Sequence, residues 1–201
     1  MEDYAGPVSR RDPAEAVSAP SRAGRRREAV LDSVLATFAR FGYQKTSLSE
    51  VARAAGVSRP TLYSWFEAKD ELFRAAVEQS LSRDLAACER ALSDSSRRLD
   101  RRVLDAFDHW AGRYVGPMTR EIPVLIEASP ELLGPVATAA PGRFERLLAG
   151  AVAEALDAKR ARAVTQTLIS TSIGIKHQTD SREEYRRRMT VAIDLILQVA
   201  S

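Results

Sequence analysis

Residues 55–66 read AGVSRPTLYSWF, and how this stretch folds decides the architecture. Gly56 supplies the permissive backbone of a sharp turn, and Val57 follows it as an apolar plug for a core. Ser58 is a good N-cap for a helix, which puts Arg59 at its first position and Pro60 at its second. Proline is tolerated there, because an amide in the first helical turn has no acceptor within the helix. Leu62 and Phe66, four residues apart, can enter one core together. Arg59, Thr61, Tyr63, Ser64 and Trp65 then point elsewhere, an unusual set for a short surface helix.

The flanks give this helix its neighbours. Upstream, Ser47 and Glu50 form the S-x-x-E capping box of a second helix, whose short buried face is Val51, Ala52 and Ala55. Before that, Ala29, Val30, Val34, Leu35, Phe38 and Phe41 recur at three- and four-residue steps, an amphipathic helix that Gly42 ends. Downstream, Glu67–Asp70 read as a turn into a long fourth helix marked by Leu72, Phe73, Ala76, Leu81 and Leu85.

The rest of the chain reads as helical without internal repeats. Leu99, Val103, Phe107, Trp110 and Tyr114 form a stripe that stops at Gly116-Pro117. Shorter helices are expected at Ile122–Ile126 and Glu131–Ala140, with breaks at Pro123, Pro130, Pro135 and Pro141. A regular face resumes over Phe144, Leu147, Leu148, Ala151, Ala155 and Leu156. Two last helices are expected near Arg160–His177 and Ser181–Ala200.

Composition narrows the class. The 201 residues are 45% hydrophobic and 28% charged, within the globular range. Their longest apolar run, Leu147–Leu156, is interrupted by Glu154 and is too short to cross a bilayer. The first residues lack the apolar core of a signal peptide and carry acids that transit peptides avoid. A soluble, cytoplasmic protein without membrane association is expected. A single cysteine, Cys88, and two distant histidines, His109 and His177, argue against a metal site or an internal disulfide. There is no G-x-S-x-G, phosphate loop, H-E-x-x-H or Cys/His pair, so a helical enzyme has no motif behind it. No cofactor is expected.

Charge is distributed unevenly. Lys plus Arg against Asp plus Glu gives net −2 over residues 1–21, +4 over 22–74 and +1 over 75–201, summing to the +3 of the whole. Residues 1–21, rich in Pro, Gly, Ser and Ala and lacking periodicity, read as a disordered tail. Arg22, Arg25, Arg26 and Arg27 then open the positive segment. Two helices joined by a tight turn beside such charge make a helix-turn-helix, whose second helix presents its N-terminal residues to base edges in the major groove. Arg59 can donate twice to guanine, while the hydroxyls of Thr61, Tyr63 and Ser64 suit bases or phosphates. Lys69 and the amides of the helix starts at Ser47 and Ser58 suit phosphates. Arg25, Arg26 and Arg27 would serve as an arm along the DNA backbone or in the minor groove.

Residues 38–73, FARFGYQKTSLSEVARAAGVSRPTLYSWFEAKDELF, resemble the DNA-binding domain of the tetracycline-repressor (TetR) family of bacterial transcription regulators. The resemblance rests on the aromatic-Gly-Tyr, the Thr-Ser helix start, the Ala-Gly-Val-Ser turn, the Thr-Leu-Tyr, and the Phe followed by a Lys and an acidic pair. It covers about a fifth of the chain. It implies phosphate contacts from Thr46 and Tyr63, a groove-facing set of Arg59, Pro60, Thr61 and Ser64, and a backbone contact from Lys69. The role of Trp65 stays open. For the remainder it implies a helical domain that pairs with itself and encloses a ligand pocket.

The expected fold is therefore all-α: a tail over 1–21, a helix-turn-helix DNA-binding domain over 22–72, and a helical ligand-binding and dimerisation domain over 73–201. Val164, Leu168, Thr171, Ser172 and Ile175, with Met189, Ile193 and Ile196 on the last helix, form the expected homodimer seam. Phe107, His109, Trp110, Tyr114, Met118, Glu127 and Phe144 are the candidate lining for a small-molecule effector. The function expected is a regulator bound as a dimer to a palindromic double-stranded DNA operator, a repressor released by its effector. The alternative is a DNA-binding regulator governed by a protein partner or by no effector.

Overall fold

The computed structural model describes residues 22–116 and 130–200, which are helical throughout. The order is α1 (Arg22–Phe41), α2 (Leu48–Ala54), α3 (Arg59–Tyr63), α4 (Lys69–Ser93) and α5 (Leu99–Trp110). A 3-10 turn at Gly112–Tyr114 follows, then α6 (Pro130–Val152), α7 (Ala158–His177) and α8 (Arg182–Ala200). The expected tail, the Ile122–Ile126 helix, Met118 and Glu127 lie outside the described residues.

Local chemistry accounts for most of these boundaries. Gly42 ends α1 at φ +81° and Gly56 ends α2 at φ +65°, conformations that cost a residue with a Cβ. Asp157 caps α7 by accepting from the amides of Lys159 and Arg160. Lys69 and Asp70, expected in a turn, form the first turn of α4 instead. Pro141 does not break α6, as had been expected. It stands on an exposed face, where water can satisfy the carbonyl that loses its partner, and the helix interrupts its dihedrals at Gly134 (φ +63°, ψ −166°).

Two apolar cores result. The first gathers Val30, Val34, Phe38, Val51, Leu62, Phe66, Leu72, Phe73 and Val77, together with Leu133 from α6. Inside it the rings of Phe38, Tyr43 and Phe73 meet pairwise with centroids 5.1–5.6 Å apart. The second gathers Leu85, Cys88 and Leu92 of α4, Val103 and Phe107 of α5, and Phe144 and Leu148 of α6. Leu168 of α7 and Tyr185, Met189 and Ile193 of α8 complete it. Each fully buried Leu or Phe stabilises by roughly 1.5–3 kcal/mol relative to exposure. α4 runs unbroken from one core into the other.

The seam expected to pair two copies lies inside the chain. Val164, Leu168, Ser172, Ile175, Met189 and Ile193 are buried, Thr171 and Ile196 half-buried, and the Ser172 and Tyr185 hydroxyls bond at 2.7 Å. The stripe was real, but α7 and α8 spend it on each other and on α5. Their outward faces carry different apolar residues: Ile173 on α7, Val191 and Leu195 on α8, each more than half exposed. A separate ionic clasp ties α8 to α5, where Asp108 accepts from Arg182 at 2.7 Å and from Arg186 at 2.5 Å. Burial raises the Asp108 pKa, but the two guanidiniums outweigh it and hold the carboxyl below its ordinary value.

Candidate nucleic-acid interface

α3 is only five residues long, so its position depends on its ends and its anchors. The Ser58 Oγ accepts from the Thr61 amide at 3.2 Å and lies 2.7 Å from the Thr61 hydroxyl, closing the N-terminus. Leu62 and Phe66 are buried in the first core and fix the helix from beneath, and half-buried Trp65 packs against the same core. What remains outward is Arg59, Pro60, Tyr63 and Ser64, all exposed, with Thr61 half-covered. The Arg59 guanidinium lies 5.5 Å from the centre of the Tyr63 ring, so the two form one exposed unit. The Ser64 hydroxyl donates to the Thr61 carbonyl at 2.8 Å.

The capping box of α2 is complete. Glu50 accepts from the Ser47 amide at 2.7 Å, and the Ser47 side chain accepts in return from the Glu50 amide. The bond from the Ser47 amide, then that from its hydroxyl, lowers the Glu50 carboxyl pKa. This box sets the start of α2 one tight turn before α3.

Several expected contacts are placed differently. Thr46 is 2% exposed, and its hydroxyl donates to the Gly42 carbonyl at 2.7 Å, so it closes the α1–α2 turn. Lys69 donates to the Tyr43 carbonyl at 3.1 Å and lies over the Tyr43 ring at 4.4 Å. It braces α4 against that turn, which Tyr43 reinforces by donating its hydroxyl to Asp70. Trp65 leaves the outward set for the core. Arg25, Arg26 and Arg27 lie within α1 rather than on an extended arm, and Arg27 sits over the Phe66 ring.

Exposed cations of this domain that no sequence motif singles out include Lys45 in the α1–α2 turn and Arg53 on α2. Their signal was available, because both fall in the segment that carries the excess positive charge.

Comparison with known proteins rests on the same segment. Residues 30–76 match the model for bacterial regulatory proteins of the tetR family. This N-terminal segment is similar to the tetR family. It is 35% identical over 81 residues to the HTH-type transcriptional repressor ComR of Escherichia coli, covering 40% of this chain and 39% of that protein. To the HTH-type transcriptional activator FasR of Mycolicibacterium smegmatis it is 30% identical over 115 residues, 53% of this chain and 52% of FasR. The chain thus spans two-fifths to about half the length of these curated relatives. Crystal structures extend the likeness of fold. The tetR-family regulator PfmR from Thermus thermophilus superposes with a TM-score of 0.61 at 21% identity, over 84% of this chain and 97% of that one. A tetR-family regulator from Streptomyces coelicolor gives 0.63 at 20% identity, over 88% and 82%.

The residues expected to line an effector pocket can be placed in part. Trp110 stacks on Phe144 with centroids 4.9 Å apart and an interplanar angle of 7°, and Phe107 meets the same ring edge-on at 5.3 Å. Beside them the Tyr114 hydroxyl bridges Asp84 and Ser80, and Arg113 pairs with Asp84. Burial raises the Asp84 pKa, against the pull of Tyr114 and Arg113, and pushes Tyr114 up to about 12. His109 is half-buried nearby. Among the described residues no group of three or more His, Cys, Asp or Glu could hold a metal ion, and no helix is long and apolar enough to cross a membrane.

Proposed function

We propose that the chain regulates transcription as a homodimer on a palindromic double-stranded DNA operator, acting as a repressor that a small molecule releases. The observation that carries the DNA-binding reading is α3: a capped, Leu62-anchored helix whose outward residues are Arg59, Pro60, Tyr63 and Ser64. Arg59 reads a guanine edge, Tyr63 and Ser64 contact bases or phosphates, and Lys45, Arg53, Arg25 and Arg26 neutralise backbone charge. Pairing is needed because a single helix-turn-helix makes few contacts. The exposed apolar residues Ile173, Val191 and Leu195 support pairing through the outward faces of α7 and α8.

Release follows from geometry. Recognition helices of a dimer must stand about 34–36 Å apart to enter successive major grooves. A ligand that binds the mismatched state more tightly shifts the population away from DNA. The aromatic group of Phe107, Trp110 and Phe144, with His109 and Tyr114 on its polar side, is the site we assign to that ligand. A second reading, DNA binding without a small molecule, is favoured by the contacts that Phe144 makes with both Trp110 and Phe107.

The test is a mobility-shift titration at physiological salt, comparing a palindromic fragment from upstream of the chain's own coding region with random DNA of equal length. Preference for the palindrome of at least about 1,000-fold is expected. Equal affinities would overturn the reading. Native mass spectrometry of the purified protein separates the two versions of control: a retained small molecule supports the first, a bare dimer the second.

A further inference from the structure

Arg59 and Tyr63 stand four residues apart on α3 and so share one side of it. Both are exposed, Tyr63 by 41%, and the Arg59 guanidinium carbon lies 5.5 Å from the centre of the Tyr63 ring. The neighbouring hydroxyls are already engaged. Ser64 donates to the Thr61 carbonyl at 2.8 Å, and the Thr61 hydroxyl lies 2.7 Å from that of Ser58. With its proton spent, Ser64 offers its oxygen as an acceptor, which suits the amino groups of adenine or cytosine. Guanine O6 and N7 are acceptors and need donors, so on this side of α3 Arg59 is the residue suited to them.

We infer that Tyr63 is a positioning residue for Arg59, its ring restricting the guanidinium to orientations that present two donors to one guanine. This rests on the proposed DNA-binding reading and adds to it a base preference that depends on an aromatic ring. Bidentate pairing needs the planar fork of the guanidinium aligned with the base edge, whereas an exposed arginine side chain samples many rotamers. The face of an aromatic ring attracts the cation and so removes part of that freedom before DNA arrives. The ring is itself anchored, because buried Leu62 and Phe66 and the Ser58 cap fix the rotation of α3. Any phosphate contact of Tyr63 belongs to its hydroxyl, and the platform belongs to its ring, so the two roles can be changed independently.

The test uses the full-length chain and the palindromic fragment, with each base pair of the half-site replaced in turn. The native chain should discriminate one guanine by about 10- to 100-fold, and Arg59→Ala should abolish that discrimination. Tyr63→Leu should reduce it by about three- to fivefold while the effects of the other base-pair replacements stay as they were. Tyr63→Phe keeps the ring, so it should retain the guanine preference even where loss of the hydroxyl weakens binding to every fragment equally. In the Arg59→Ala background, Tyr63→Leu should alter no base preference further. Both positions are exposed, so circular dichroism should show unchanged helix content in every variant. The inference is overturned if Tyr63→Leu keeps full discrimination, if Tyr63→Phe loses as much as Tyr63→Leu, or if the Tyr63→Leu effect persists without Arg59. A native chain that prefers the palindrome but loses no base preference in Arg59→Ala also overturns it and leaves the DNA-binding reading standing. Equal affinity for the palindrome and random DNA overturns both.

Discussion

The guanidinium of Arg27 lies 4.7 Å from the centre of the Phe66 ring, joining the N-terminal part of α1 to the segment just past α3. One of the arginines that the sequence suggested as a DNA arm is therefore also a brace for the recognition helix. Arg27→Ala is expected to lower stability by about 0.5–1 kcal/mol, read from urea unfolding. Arg26→Ala, on an exposed part of α1, should change stability by less than about 0.5 kcal/mol.

Arg59 and Arg26 should differ in a second way. On the proposed reading Arg59→Ala removes a base contact, so it should cost about 1–3 kcal/mol on the palindrome and far less on random DNA. Arg26→Ala should weaken both and lower the salt slope by about one unit. Titrations on both DNAs at several salt concentrations distinguish the roles. Equal losses for the two variants would contradict the assignment.

The outward faces of α7 and α8 make the pairing prediction specific. Val191→Ser with Leu195→Ser should weaken self-association by about 10- to 100-fold in analytical ultracentrifugation while leaving helix content unchanged. Leu168→Ala, at a buried position inside the chain, should instead lower stability by about 2–5 kcal/mol. Retained association in the double variant would place the interface elsewhere.

Acid should loosen the α5–α8 clasp. The folded-state pKa of Asp108 is lowered by Arg182 and Arg186 despite burial. Its contribution is present above the unfolded value of about 4 and is lost as pH falls through the folded value below that. Asp105, lowered by Arg186 and Arg97 against its own burial, acts in the same sense. Asp84, whose pKa is raised, acts oppositely: its contribution is full below about pH 4 and declines as pH rises through its folded value. Asp108→Asn should destabilise by about 2 kcal/mol at neutral pH. Urea midpoints from pH 3 to 7 should show that gap closing below pH 4.

The DNA-binding domain was largely legible because its devices are local. The Ser47–Glu50 capping box, the Ser58 cap with Pro60 in the first turn, and Gly42 and Gly56 at positive φ each act over four residues or fewer. Residue chemistry within such a window nearly decides the conformation. The local partners of Thr46 and Lys69 were not legible for the opposite reason. Their partners, the carbonyls of Gly42 and Tyr43, become available only when the turn and the start of α4 meet. An isolated hydroxyl or ammonium in a sequence carries no sign of which backbone carbonyl it will meet.

By itself the sequence determined that this chain is helical, where most helices begin and end, and which short helix turns polar residues outward. Only the tertiary structure decided what each apolar stripe packs against. Val164, Leu168, Met189 and Ile193 read as a surface for a second copy, and they are the inside of the chain; Ile173, Val191 and Leu195 are the outside. Periodicity records that one side of a helix avoids water, and burial against a neighbouring helix or a second chain satisfies it equally well. The same holds for Leu133: its apolar character was plain from the sequence, but only the packing places it, at the start of α6, in the first core.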